Sequence, residues 1–200
     1  MSNLNYDEIL KTYNNDPTLV LKQYKYENGD FIYARLDSLK NANVSELNDI
    51  LNTIILWKIN RTVHVSDDTL TELYQVRTID TPTDILNGQH KESVKTLLIK
   101  LLKSKGVRLA MASTFLHFFN PAVFPIFDQR AYRVIYLQDY QASTNQVDNA
   151  DLYLDYIEKC VNYYRTNLSG SGISFSDIDK YLYQLDIEAG NKVKNYGNTH

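Results

Sequence analysis

At 200 residues, with 44% hydrophobic and 12% aromatic side chains, the chain has ample material for one buried core. Its 21 Lys and Arg against 24 Asp and Glu give a net charge of -3, a balance that by itself names no partner. The lone Cys160 excludes an intrachain disulfide, a Cys-rich zinc site and a four-cysteine iron-sulfur cluster, and no run approaches the ~20 apolar residues of a membrane span.

Only 7 Gly and 4 Pro interrupt the chain, so long stretches can stay helical. Tyr6 to Tyr13 and Leu19 to Tyr26 have the spacing of short helices on either side of Asn15-Asp16-Pro17, a turn followed by a helix start. Asn28-Gly29-Asp30 breaks the pattern, and Phe31 to Arg35 fits an extended piece or a helical turn. Leu47, Ile50, Leu51, Ile54, Ile55 and Trp57 recur at helical spacing behind Ser45, read as the cap of a central helix. Ser66 starts another helix, and Thr81-Pro82-Thr83-Asp84 a short one that stops at Asn87-Gly88. From Glu92 apolar residues at helical spacing run to Gly106. A second helix, dense in small residues, follows at once from Leu109 to Leu116. Beyond Asn120-Pro121, the apolar stretch Val123 to Phe127 leads into Asp128 and a helix from Gln129 to Leu137. Gln138 to Asn149 reads as a polar loop, Leu152 to Tyr164 as an amphipathic helix, and Ser176 as the cap of a last helix over Asp177 to Leu185. The expectation is therefore an all-α unit, with 191–200 as a flexible tail.

Charge is unevenly placed along this plan. Between Lys91 and Arg133 eight basic residues face only Glu92 and Asp128, a net +6 that leaves -9 for the rest of the chain. Clustered cations suit a local polyanion contact whatever the global charge. Lys100, Lys103, Lys105 and Arg108 crowd the tip of the hairpin around Gly106, where a helix N-terminus offers unpaired N–H groups to a phosphate and glycine permits close approach. Lys58 and Arg61, three residues apart, share a helix face. His117 shows no ligand spacing with His64 or His90 and is read as a buried helix residue, so no metal and no cofactor are expected.

From Gly106 onward the chain runs Gly-Val-Arg-Leu-Ala-Met-Ala-Ser-Thr-Phe-Leu-His-Phe-Phe-Asn-Pro-Ala-Val-Phe-Pro-Ile-Phe-Asp-Gln-Arg-Ala-Tyr-Arg-Val-Ile. This segment resembles the hairpin and aspartate region of helix-hairpin-helix DNA glycosylases of the endonuclease III and adenine glycosylase type. Gly106 stands at the first hairpin glycine, Ala112 at the small helix position, Asp128 at the acid, and Arg133-Val134 one turn beyond it. Arg108 occupies the second glycine's place, and Ala110 that of the lyase lysine in bifunctional members. The chain also resembles a less characterised helical group through Trp57-Lys58-Ile59-Asn60-Arg61 and Ile178-Asp179-Lys180-Tyr181-Leu182.

The resemblance implies two helical lobes with a cleft between them, about 45–135 carrying the hairpin and 1–44 with 136–190 forming the second. It implies a monofunctional DNA N-glycosylase that flips a nucleotide and uses Asp128 in hydrolysis, without lysine lyase chemistry at the usual site. Duplex DNA would be held by Lys103, Lys105, Gly106, Arg108, Lys58, Arg61 and Arg130. The alternatives are a catalytically inactive helix-hairpin-helix DNA-binding relative and a helical protein-interaction module. An N-terminus with no basic region followed by an apolar core points to the cytoplasm.

Overall fold

The computed structural model describes residues 6–25, 29–39, 42–58 and 63–192, and these contain eleven α-helices and no strand. In order they are α1 (Tyr6–Thr12), α2 (Pro17–Leu21), α3 (Asp30–Ser38), α4 (Val44–Lys58), α5 (Asp67–Gln75), α6 (Pro82–Leu86), α7 (Lys91–Lys103), α8 (Leu109–Phe119), α9 (Gln129–Tyr136), α10 (Gln146–Tyr163) and α11 (Ile178–Glu188). The all-α class is as the sequence suggests. No described helix is long and apolar enough to cross a membrane. Arg61, residues 193–200 of the expected tail, and the expected end of the second helix at Tyr26 lie outside the described residues.

Side chains at the helix starts explain where the boundaries depart from the apolar spacing. α2 begins at Pro17, ahead of Leu19, because proline has no N–H to leave unpaired and Asp16 accepts from Thr18 N at 2.9 Å. The ambiguous stretch from Phe31 is helical, entered from Gly29 at φ +70°. α4 is capped by Asn43 rather than Ser45. Asn43 Oδ1 accepts from Glu46 N at 3.0 Å while Glu46 accepts from Asn43 N at 2.9 Å, a reciprocal box that satisfies two otherwise unpaired donors. α10 starts at Gln146, inside the stretch read as a loop. Asn145 caps the N–H groups of Val147 and Asp148, and Asn149 is turned inward onto the carbonyls of Ser143 and Asn145. Ser176 does not cap α11; it lies in a 3-10 turn, Phe175–Asp177, that precedes the helix.

The core is organised around α8, whose residues from Met111 to Phe119 are all buried. A helix apolar on every side needs neighbours all round, and α3, α4, α5, α7 and α10 pack against it. Residues from both stretches that the sequence divides into lobes enter one contiguous core, Ile54 and Phe115 alongside Ile32, Tyr153 and Leu182.

A second organising feature is polar. α9 and α11 pack together across a buried carboxylate, Asp186, which is 0% exposed. Arg133 donates to both of its oxygens (2.9 and 3.0 Å), Arg130 to Oδ2 (3.0 Å), and Tyr6 and Asn191 to Oδ1 (3.1 and 2.9 Å). Arg130 also donates to the Asn191 carbonyl at 2.7 Å, so the chain is tied down one residue past Gly190, where the tail was expected to begin.

Candidate functional site

The hairpin between α7 and α8 is tight. Val107 N bonds back to Ser104 O at 3.1 Å, and only Gly106, at φ +83°, takes the left-handed conformation. Arg108 has φ -116°, ordinary extended backbone, so this turn does not require a second glycine there. The Lys105 carbonyl accepts from His64 N at 3.2 Å, anchoring the tip to the segment before α5. α8 begins with no side-chain cap.

Ion pairing sorts the eight cations of the basic segment into two groups. Lys95 faces Asp151, Lys100 faces Glu72, and Arg130 and Arg133 face Asp186. Lys103, Lys105 and Arg108 at the hairpin tip, and Lys91 at the start of α7, are exposed and have no ion pair among the described residues. Arg130, assigned to DNA in the sequence reading, is turned inward onto Asp186 and lies over the Tyr183 ring at 5.6 Å.

The segment leading into Asp128 has little regular structure, yet its backbone is held group by group. His117 Nδ1 lies 2.8 Å from the Phe124 carbonyl, Tyr153 Oη donates to Pro125 O at 2.8 Å, and Tyr156 Oη to Ile126 O at 3.2 Å. Phe127 N donates to Ser113 Oγ at 2.9 Å. Side chains of α8 and α10 thus substitute for the missing ladder, as a buried irregular segment requires. Sequence reasoning missed Ser113, Tyr153 and Tyr156. Their signal was only a hydroxyl on the inward face of a helix, apolar α8 for Ser113 and amphipathic α10 for the two tyrosines.

This scaffold delivers Asp128 to two tasks. Its Oδ1 accepts from Arg130 N at 2.8 Å, capping α9. The same residue lines a cavity of about 410 Å³ together with Trp57 and Lys58 of α4 and Asp179, Lys180 and Tyr183 of α11. Burial pushes the Asp128 carboxyl above the usual carboxylate range, opposed by the Arg130 N–H and by the charges of Lys58 and Arg130, with Asp186 adding to the rise. Burial pushes the Lys58 ammonium down, opposed by Asp128 and Asp179. Lys58 Nζ sits 5.9 Å from the Trp57 ring centre, and Trp57 packs edge-on to Phe118 at 5.1 Å. The fold therefore brings Asp128 and Lys58 together, and Asp179 is a third charged group that the sequence reading did not assign. Its available signal was spacing: Asp179 and Asp186 are seven residues apart, two turns of α11, flanking the buried Leu182. Another cavity, of about 460 Å³ between α5 and α7, holds Lys100 already paired with Glu72.

Comparison with protein-family models, curated proteins and solved structures finds no match to this chain.

Proposed function

We propose that this chain is a two-lobed helix-hairpin-helix DNA N-glycosylase of the monofunctional kind, which flips a nucleotide into the Asp128 cavity and hydrolyses its N-glycosidic bond. The observation that carries the reading is that Asp128 and Lys58 line one cavity, although 70 residues separate them in sequence. A carboxylate held by its scaffold beside a lysine, in a recess walled by aromatic rings, suits a planar base and the positive charge that develops on the sugar as the base departs.

In this reaction water adds to the sugar C1′, the C1′–N bond breaks with its electron pair leaving on the base, and the base takes up a proton. Asp128 accepts the proton that water gives up and offsets the oxocarbenium-like charge. The exposed Lys103, Lys105 and Arg108 contact backbone phosphate around Gly106, and Lys58 binds at the cavity itself. Ala110 at the lyase position keeps the chemistry hydrolytic there. Arg61 belongs to the proposed phosphate contacts on its sequence position alone.

A second reading, binding of DNA or of a protein without catalysis, has an observation of its own. Asp128 already caps α9, so a structural task accounts for its carboxylate. Asp128→Asn separates the two readings. Incubated with duplexes carrying a broad panel of damaged and mispaired bases, the native chain should release a base. Asp128→Asn should release none while keeping its DNA affinity. Absence of release across the panel sinks the enzyme reading. Binding that does not weaken as salt rises, or that survives charge reversal at Lys103, Lys105 and Arg108, sinks DNA binding as well.

A further inference from the structure

We propose that Lys58 forms an imine: its amine condenses with an aldehyde held in the Asp128 cavity, and Asp128 supplies the proton that releases water. The aldehyde is either a small free one or the ring-opened sugar of an abasic site in DNA. The inference does not rest on base release.

Lys58 ends α4 and lines the cavity with Asp128 and Asp179. Among the described residues it makes no hydrogen bond and has no carboxylate within ion-pair distance; its Nζ lies 5.9 Å from the centre of the Trp57 ring. The side-chain nitrogens and oxygens there that are both sealed from water and unpartnered are Asp179 Oδ1 and Tyr181 Oη. Lys58 Nζ is neither, so this unpaired amine is open to solvent. Asp128 Oδ2 is in the same state: Oδ1 is the oxygen that caps α9, while Oδ2 accepts nothing among the described residues and is not sealed. The other lysine of the cavity, Lys180, is committed to Asp177 at 2.7 Å. One cavity of about 410 Å³, in the range of small-ligand sites, thus holds an open amine and an open carboxylate oxygen that do not pair with each other.

Burial moves both groups in the direction the reaction needs. It holds the Lys58 ammonium below the ordinary lysine value, which leaves more of it as the free amine, the nucleophilic form. Asp128, Asp179 and Lys180 share the cavity with it and the buried His117 of α8 lies within its field; the two carboxylates oppose the shift without reversing it. Burial also holds the Asp128 carboxyl above the ordinary range, so that it can carry a proton. Addition of the free nitrogen to the aldehyde carbon, with a proton passing from nitrogen to oxygen, gives a carbinolamine. Asp128 then protonates the hydroxyl, the C–O bond breaks with its electron pair on the departing water, and the nitrogen lone pair forms the C=N bond of a protonated imine. Asp128 is left ionised beside that positive charge.

The full-length chain is incubated at neutral pH with sodium cyanoborohydride and either glycolaldehyde or a short duplex holding an abasic site. The reductant fixes any imine as a secondary amine, and peptide mass spectrometry locates it. In at least one arm Lys58 should be modified about tenfold faster than the exposed Lys103 and Lys105 of the same sample. Reaction with glycolaldehyde assigns a small free aldehyde, and reaction with the duplex alone assigns the abasic sugar. Asp128→Asn still accepts from Arg130 N but has no acidic proton to give, and should slow Lys58 by at least about tenfold with Lys103 unchanged. Loss of the carboxylate charge by itself would leave more free amine and a faster reaction, so a slower one isolates the proton transfer. A melting curve checks that the variant is folded, and the comparison among lysines of the native chain needs no variant. Lys58 no faster than Lys103 and Lys105 in both arms, or an undiminished Lys58 rate in folded Asp128→Asn, overturns the proposal. A Lys58 adduct without base release leaves it standing while the enzyme reading falls. Base release without the adduct has the opposite meaning.

Discussion

Ser113 and Phe127 form the joint between the central helix and the aspartate segment: Phe127 N donates to Ser113 Oγ at 2.9 Å, and that hydroxyl donates onward to Ala110 O at 3.1 Å. Both residues are buried. In Ser113→Ala the Phe127 N–H would lose its acceptor with no water to replace it, at a cost of about 1–3 kcal/mol. Urea unfolding should show that loss as a lower midpoint with an unchanged slope. A loss below about 0.5 kcal/mol would mean that the segment holds itself without the serine.

The Asp186 cluster should be the most sensitive polar feature of the fold. Removing its carboxylate charge leaves Arg130 and Arg133 facing each other across the α9–α11 contact, and breaking one partner of such a buried group typically costs about 3–5 kcal/mol. Asp186→Asn is expected to lose stability on that scale. Exchanging all three charged groups for apolar residues, Arg130→Met and Arg133→Met with Asp186→Leu, should cost less than Asp186→Asn alone, because no charge is left unpaired at Asp186. Thermal melts of the native chain and the two variants decide it, and equal losses in both variants would show that packing rather than charge is at stake.

How much of this was legible in the sequence depended on the kind of interaction. Helices with an apolar stripe, such as α4 and α7, declare themselves by spacing, and the hairpin declares itself by Gly106. α10 was legible only in its C-terminal two thirds. The turns before Leu152 are built from Asn145 and Asn149, whose polar side chains look like a loop until their bonds to the backbone are seen. Asp128 was found by its context, and Lys58 by its neighbours Trp57 and Arg61. Asp179 was not found, because a carboxylate on a mostly apolar helix reads as its solvent face unless the packing on that side is known. The same packing turned Arg130 from a surface cation into a buried partner of Asp186.

Leu137 ends α9 in the left-handed conformation at φ +55°, with its N–H bonded to Arg133 O at 2.8 Å and its side chain 68% exposed. A leucine there carries a steric cost that glycine escapes, and its exposure leaves little packing to lose. Leu137→Gly is therefore expected to stabilise the chain by about 0.5–1 kcal/mol. A higher unfolding midpoint confirms this; a lower one would show that glycine's extra freedom in the unfolded chain outweighs the relieved strain.

Asp128 gives the pH dependence its sign. Burial raises its carboxyl above the unfolded value, so the folded chain favours the protonated form. Its contribution to stability is then fully present below the unfolded pKa and is lost as pH rises through the folded one. Asparagine in its place keeps an oxygen to accept from Arg130 N but never ionises, so Asp128→Asn should match the native chain in acid and equal or exceed its stability at neutral pH. If the Lys58 and Arg130 charges outweighed burial, the order at neutral pH would reverse. Under the proposed reaction the same shift appears in the rate: base release needs the carboxylate, so its acid limb should lie above the ordinary carboxylate range. Lys58 holds that limb down, and Lys58→Met should move it to higher pH by removing the charge that favours ionisation. A limb that stays where it was in Lys58→Met would show that the two side chains do not share a field, and would remove the electrostatic basis for assigning them to one site.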